Sequence, residues 1–273
     1  MNEDAKINAV LSFRERFALA SACSANENHL FKLLQSKYLK FMELICHQII
    51  KNSLHVDGFE SLTDLNPDRG ILFCSNHRSF FDQFALSSCL YRNTRWIKAA
   101  IYPVRSEFFY DTFFGMCINA FWAGFSMYPP IFRQKEKIEY NKIAVETILR
   151  FLKTPGVFVG MHPEGTRNKG KDPYQLLRAM PGVGEVIMKA QPIVIPVFIN
   201  GLSNSMTTQI KRKFQNSDKK QNAVILCVGN PIDFTKEYKV PPRPTQYKLV
   251  ADKVVQEIQL LGSKEKAIRE KLV

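Results

Sequence analysis

Apolar and polar positions along the chain follow two regimes that change near residue 54. Over 29–51, Leu30, Leu33, Leu34, Phe41, Leu44, Ile45 and Ile49 recur at helical spacing, with Lys32, Lys37, Lys40 and Lys51 on other faces. This predicts one long amphipathic helix. Its stripe is expected to pack on the domain that follows, a membrane interface being the second reading. Residues 1–28 scatter Ile7, Val10, Leu11 and Phe17 among charges, the pattern of a short surface helix. Beyond residue 54, β-rich runs at 71–74, 96–101, 157–160, 193–199 and 223–228 alternate with helical stretches near 79–91, 107–122, 136–152, 182–190 and 245–261. The alternation predicts an α/β fold: a mostly parallel or mixed central sheet covered by helices on both faces, with an N-terminal helical appendage. The expected units are a helical segment 1–53 able to associate with a membrane, a main domain 54–262 and a charged tail 263–273.

Several stretches stand apart from this alternation. Residues 108–132 hold eight Phe and Trp rings from Phe108 to Phe132, with Asp111 as the only formal charge before Arg133. Asn119, two Gly and Pro129-Pro130 interrupt them, so a buried core helix followed by a loop is expected rather than an interfacial segment. No window has eighteen uninterrupted apolar residues, and no spanning helix is expected. The polar, basic run 211–221 reads as a loop, and Pro241-Pro242-Arg243-Pro244 breaks the chain before the last long helix. Pro196 within a strand-like run implies a bulge or an edge, shaping a pocket wall.

Composition narrows the class. With 273 residues and 45% hydrophobic content the chain can build one large domain, with or without a small appendage. Thirty-eight Lys and Arg against 25 Asp and Glu give a net charge of +13. That favours a phosphate-bearing partner: an anionic membrane surface, a phospholipid, an acyl carrier or nucleic acid. No helix-turn-helix, zinc-finger or RNA-binding aromatic motif supports nucleic acid, and none is expected. The six Cys lack C-x-x-C and zinc-finger spacing; Cys74 and Cys227 sit inside strand-like runs as small hydrophobes. With no signal peptide at the start, a reducing compartment is expected.

The candidate chemistry lies in two loops. His77-Arg78-Ser79-Phe80-Phe81-Asp82 follows the first β-rich run. Five helical residues turn by about 140 degrees, so His77 and Asp82 cannot face one way if both are helical, but they can meet if His77 lies in the loop and Asp82 in the first turns of the helix behind it. Ser75, Asn76 and Ser79 are candidate caps there. The carboxylate would fix one imidazole tautomer and leave the other nitrogen as a base. Pro163-Glu164-Gly165-Thr166-Arg167 follows the run ending at residue 160. Gly165 permits a sharp bend, Arg167 offers a fork for phosphate, and Thr166 adds a donor. Glu164 would receive a ligand hydroxyl or hold Arg167. Both loops leave the carboxyl ends of strands, where α/β domains place one shared pocket. No Gly-x-Ser-x-Gly elbow is present, which sets a serine hydrolase aside.

These blocks, with Ile131-Phe132-Arg133 between them and Ile195-Pro196-Val197 after them, resemble the 1-acylglycerol-3-phosphate (lysophospholipid, PlsC-like) acyltransferase family over roughly 55–235. The second block keeps Ile131 and Arg133 of the usual Gly-x-x-Phe-Ile-x-Arg, with Met127 and Pro130 in place of Gly and Phe. His162 stands where an apolar residue is usual. The resemblance implies direct acyl transfer from acyl-CoA or acyl-acyl carrier protein to a free hydroxyl, with no cofactor, metal or acyl-enzyme. It implies His77 as general base, Asp82 as its orienting carboxylate, and Arg133, Glu164, Gly165, Thr166 and Arg167 around the acceptor's head group. Lysophosphatidic acid is the favoured acceptor; glycerol 3-phosphate, another lysophospholipid and a lyso-aminolipid are the alternatives, and a non-catalytic basic lipid binder is the competing class. The enzyme would sit on the cytoplasmic face of a membrane.

Overall fold

The computed structural model describes residues 10–63, 65–214 and 222–272. Its strands are β1 (Leu54–Asp57), β2 (Ile71–Ser75), β3 (Ala99–Ile101), β4 (Val104–Arg105), β5 (Pro130–Ile131), β6 (Val157–Met161), β7 (Ile193–Asn200) and β8 (Val224–Val228). The longer helices are α1 (Phe13–Glu27), α2 (His29–Ile50), α3 (Asp82–Asn93), α4 (Tyr140–Leu152), α5 (Pro181–Ala190), α6 (Met206–Phe214) and α7 (Pro244–Lys271). Six strands form one sheet in the order β1-β8-β7-β2-β6-β3, parallel except where β7 meets β8. β4 and β5 form a separate parallel pair.

Period-two alternation splits the strands between two cores. Leu72, Cys74, Val159, Val194 and Cys227 face one layer, where α4, α5 and α7 contribute Ile148, Ile187, Val250 and Val254. Ile71, Phe73, Phe158, Ile195 and Leu226 face the other, where α3 contributes Leu86, Cys89 and Leu90. There the Phe73 and Phe158 rings meet edge to face at 5.7 Å. Each fully buried large side chain is worth about 1.5–3 kcal/mol in area alone. Because β2, β6, β7 and β3 run the same way, their carboxyl ends share one edge, while β1 and β8 end at the opposite one.

The structure departs from the expectations at identifiable places. In α2 the buried residues are Gln35, Leu39, Met42, Glu43, Cys46 and Ile50, while Leu30 (64% exposed), Leu33, Leu34, Phe41 (60%) and Leu44 face outward. The more apolar stripe is thus the exposed one. The inward face of α2 mixes Leu39, Met42 and Ile50 with Glu43, which accepts from Ser87 of α3, and with Gln35, which donates to the Gly124 carbonyl and to Asn26 of α1. The 107–122 helix is broken instead into Ser106–Phe109, Phe113–Cys117 and a π turn at Ile118–Trp122. Gly115 packs directly on the Phe108 carbonyl, and Phe113 (72%), Phe114 and Phe121 (73%) are exposed rather than in the core. The 211–221 loop is helical through Phe214 as part of α6; 215–221 lie outside the described residues. The separate tail 263–273 does not detach, since α7 runs on to Lys271 and buries Glu265 under Arg269. Pro196 is on an interior strand, not an edge. Its carbonyl accepts from Gly229 just beyond the last β7–β8 rung, so its missing N–H falls where the ladder has ended. It lines a cleft of about 600 Å³ at the sheet edge away from His77.

Candidate active site

His77 lies in the loop after β2 and Asp82 is the first residue of α3. Asp82 is fully buried, and its Oδ2 accepts from the backbone N–H of Arg78 (2.7 Å) and Ser79 (2.8 Å) and lies 3.1 Å from His77 Nδ1. With Oδ2 as acceptor, Nδ1 carries the ring proton and Nε2 keeps a free lone pair. The expected Ser/Asn caps are used otherwise. Phe81 is the N-cap without a side-chain bond, so the Asp82 carboxylate itself closes the turn. Ser79 Oγ reaches the Ser203 carbonyl. Asn76 pairs in both directions with the Ile199 backbone (2.9 and 2.7 Å), extending the β2–β7 ladder by one side chain.

The second loop builds the other wall. Glu164 is buried, but it contacts neither Arg167 nor open space. Its two oxygens accept from the backbone N–H of His77 (2.8 Å) and Leu177 (2.8 Å), and Asn168 N–H donates to the His77 carbonyl (2.8 Å). The chain at His77 is therefore held from both sides by the loop that begins at Pro163. Gly165 has φ +61, and a Cβ there would meet Met180 at 2.8 Å, so the turn requires glycine. Thr166 is exposed beside it. Arg167 stacks its guanidinium 4.1 Å above the Phe80 ring and donates to Asn204 Oδ1 at 3.0 Å. Arg105, absent from the expected set, donates to the Gly165 carbonyl at 2.6 Å. It ends β4, whose partner β5 leads to the exposed Arg133, and the two guanidiniums are near enough to repel. Asn204 and Arg105 had no signal in the sequence, since only the crossover of β7 and the β4–β5 pairing bring them here.

Charge and burial set the resting state. Burial, then Arg167 and Arg105, push His77 down to about 4, so the ring is neutral at pH 7. Burial pushes Asp82 up to about 6, against the two amides and nearby cations that favour its charge, so it remains ionised at pH 7. Neutral imidazole plus carboxylate is the state a general base needs. Against the His77 ring lies His162, centroids 3.9 Å apart and planes within 9°. His77, Asp82 and His162 each bring a metal-ligating atom within 4.8 Å of the others. Parallel rings aim their lone pairs side by side rather than at one point, and both His162 nitrogens have protein neighbours, which does not fit a tetrahedral metal cage.

A deprotonated imidazole nitrogen thus faces a mouth rimmed by Arg105 and Arg167, with Arg133 close to Arg105. Such a site can remove a proton from a hydroxyl whose molecule also carries an anionic group. The sequence profile of the acyltransferase family matches residues 54–200, over half of the chain. No curated protein matches the chain in sequence. Among solved structures it is similar to the 1-acyl-sn-glycerophosphate (LPA) acyltransferase PlsC from Thermotoga maritima. The two share 16% identity and a TM-score of 0.54 over 96% of this chain and 94% of that one.

Proposed function

The chain belongs to the acyltransferase family, and on that premise we propose that it transfers a fatty acyl group from acyl-CoA or acyl-acyl carrier protein to the free hydroxyl of lysophosphatidic acid. The observation that carries this reading is the His77–Asp82 pair opening on the same mouth as Arg105 and Arg167. The acceptor's phosphate lies against Arg105, Arg133 and Arg167. Its hydroxyl gives a proton to His77 Nε2 as the oxygen bonds to the thioester carbonyl carbon. The C–S bond then breaks, and the departing thiolate takes the proton back from Nε2. Asp82 holds the tautomer and balances the imidazolium between these steps. Base help of this kind contributes about 10²–10⁴ in rate, and orientation by the arginines must supply much of the rest.

The acceptor is delivered from a membrane surface. No described helix is long and apolar enough to cross a bilayer. An outward row of rings instead leads away from the catalytic loop: Phe80 lies 6.2 Å from Phe108, which lies 6.3 Å from Phe114. Phe113, Phe114 and Phe121 are exposed, as is the apolar stripe of α2, whose Lys37 and Lys40 are exposed beside it. Rings and aliphatic side chains flanked by lysine suit the headgroup boundary of an anionic leaflet. The test is a panel of lyso-acceptors and glycerol 3-phosphate, offered with acyl-CoA and with acyl-acyl carrier protein and read by mass spectrometry. Acylated lysophosphatidic acid, lost in His77→Ala, is expected. Full activity without His77 would overturn the mechanism, and acylation of a different acceptor alone would replace the substrate.

A further inference from the structure

We infer that His162 is a positioning residue for the base: a fixed, neutral imidazole platform that holds the His77 ring plane and stabilises it while it carries the transferred proton. This rests on His77 being the base, as proposed above.

The platform is locked from both ends. His162 Nδ1 lies 3.0 Å from the Asn76 carbonyl and 3.1 Å from that of Ser75. Carbonyls only accept, so this nitrogen bears the proton. Nε2 then accepts from the side-chain amide of Gln83, 3.2 Å away, and the same amide reaches Ser75 Oγ. Every anchor lies on a segment that also positions the base: the end of β2, the loop before His77 and the residue after Asp82. Gly160 leaves the room Gln83 occupies, since a Cβ there would fall 2.2 Å from Gln83 Oε1. His162 itself resists protonation, burial lowering it to about 3, with His77 adding to the effect. When His77 becomes charged, the ring beneath it therefore stays neutral and presents a π face to the cation. An imidazole beside a base would oppose its protonation only if it were charged too, and burial, the adjoining His77 and the Gln83 amide donor at Nε2 keep it from that state, against the two carbonyls and Asp82, which favour the charge. Asp82 grips one edge of His77 and His162 one face, leaving Nε2 directed to the mouth.

The test compares His162→Leu with His162→Phe, the second restoring a flat ring without the hydrogen bonds. H162L is expected to lower kcat about tenfold, the size of a cation–π interaction removed from a partly desolvated site, with KM for both substrates within about twofold. H162F is expected to recover kcat to within about threefold of the parent. By NMR, the His77 ring in H162L should titrate at a lower pH than in the parent. Equal losses in both variants with an unmoved His77 titration overturn the inference, as do two variants of parental rate. Should either variant fold poorly, the unsubstituted protein decides: a ring-to-ring nuclear Overhauser effect between His77 and His162 supports the stack, and its absence overturns it. Activity surviving His77→Ala is a separate outcome that removes the base assignment itself.

Discussion

At the scale of single residues, one carboxylate oxygen does most of the organising. Asp82 Oδ2 receives two backbone amides and faces His77 Nδ1, so the geometry of loop, helix start and base is closed through one atom. Asp82→Asn can keep an oxygen there and leave the fold intact, but it removes the charge that, in the proposed mechanism, would stabilise the imidazolium. We expect kcat to fall by about 10²–10⁴ with little change in the urea midpoint at pH 7. The pH profile follows from the same pair. As pH falls through about 6, the pair takes up a proton near Asp82 and the charge facing His77 is lost. The acid limb of kcat/KM should therefore inflect near pH 6, measured at saturating donor. Glu164 makes a different prediction, because its carboxylate is spent on backbone amides. Glu164→Gln puts an amide donor against one of two buried N–H groups, His77 or Leu177. A loss of about 1–3 kcal/mol in chemical denaturation is expected, with turnover falling as the His77 loop loosens.

At the scale of elements, α2 carries a carboxyl group that the chemistry does not use. Glu43 is buried against α3, where the Ser87 hydroxyl donates to it, and burial pushes it up to about 8. It is therefore neutral at pH 7. Because the folded-state value is raised, the folded chain binds this proton more tightly than the unfolded one. The stabilisation is complete below the ordinary value of 4.5, falls by about 1 kcal/mol per pH unit as pH rises toward 8, and changes no further above it. Glu43→Gln should flatten that slope and raise stability at pH 9, read by urea denaturation at pH 6 and pH 9. An unchanged slope would place the ionised carboxylate in the native state. The broken segment from Ser106 to Trp122 offers the complementary case. Its exposed rings take no part in the core, so replacing Phe113, Phe114 and Phe121 by Ser should leave the melting temperature within a few degrees.

At the scale of the whole molecule, the proposed membrane docking would draw together the sheet edge that carries His77, the aromatic row and a net charge of +13. Binding to vesicles with an anionic lipid should weaken at least about tenfold between 0.1 and 0.5 M salt, since each basic residue near the surface gives about 1 kcal/mol that salt screens. The triple Ser variant should bind less at both salt levels and retain activity on acceptor dispersed in detergent. A sedimentation assay separates the two contributions. Binding that ignores both salt and the aromatic rings would remove the membrane from the mechanism.

The sequence by itself determined the α/β alternation, the two loops at strand ends, and the family to which the chain belongs. Each of these is a local pattern: short β-rich apolar runs alternating with helical stretches, a His–Asp spacing that a loop-to-helix junction brings together, five consecutive residues from Pro163 to Arg167. Tertiary structure alone decided the rest. The outward face of α2 is not legible from spacing, because an apolar stripe does not say what covers it; α3 receives Glu43, while α1 and the turn at Gly124 receive Gln35. Glu164 resembled a ligand group until the fold brought His77 N–H and Leu177 N–H to its two oxygens. Arg105, Asn204 and the His162 platform lie far along the chain from His77, and no periodicity links them. They meet because four strands end at one edge, and a shared edge is a property of strand order, which follows from the packing of all the helices at once.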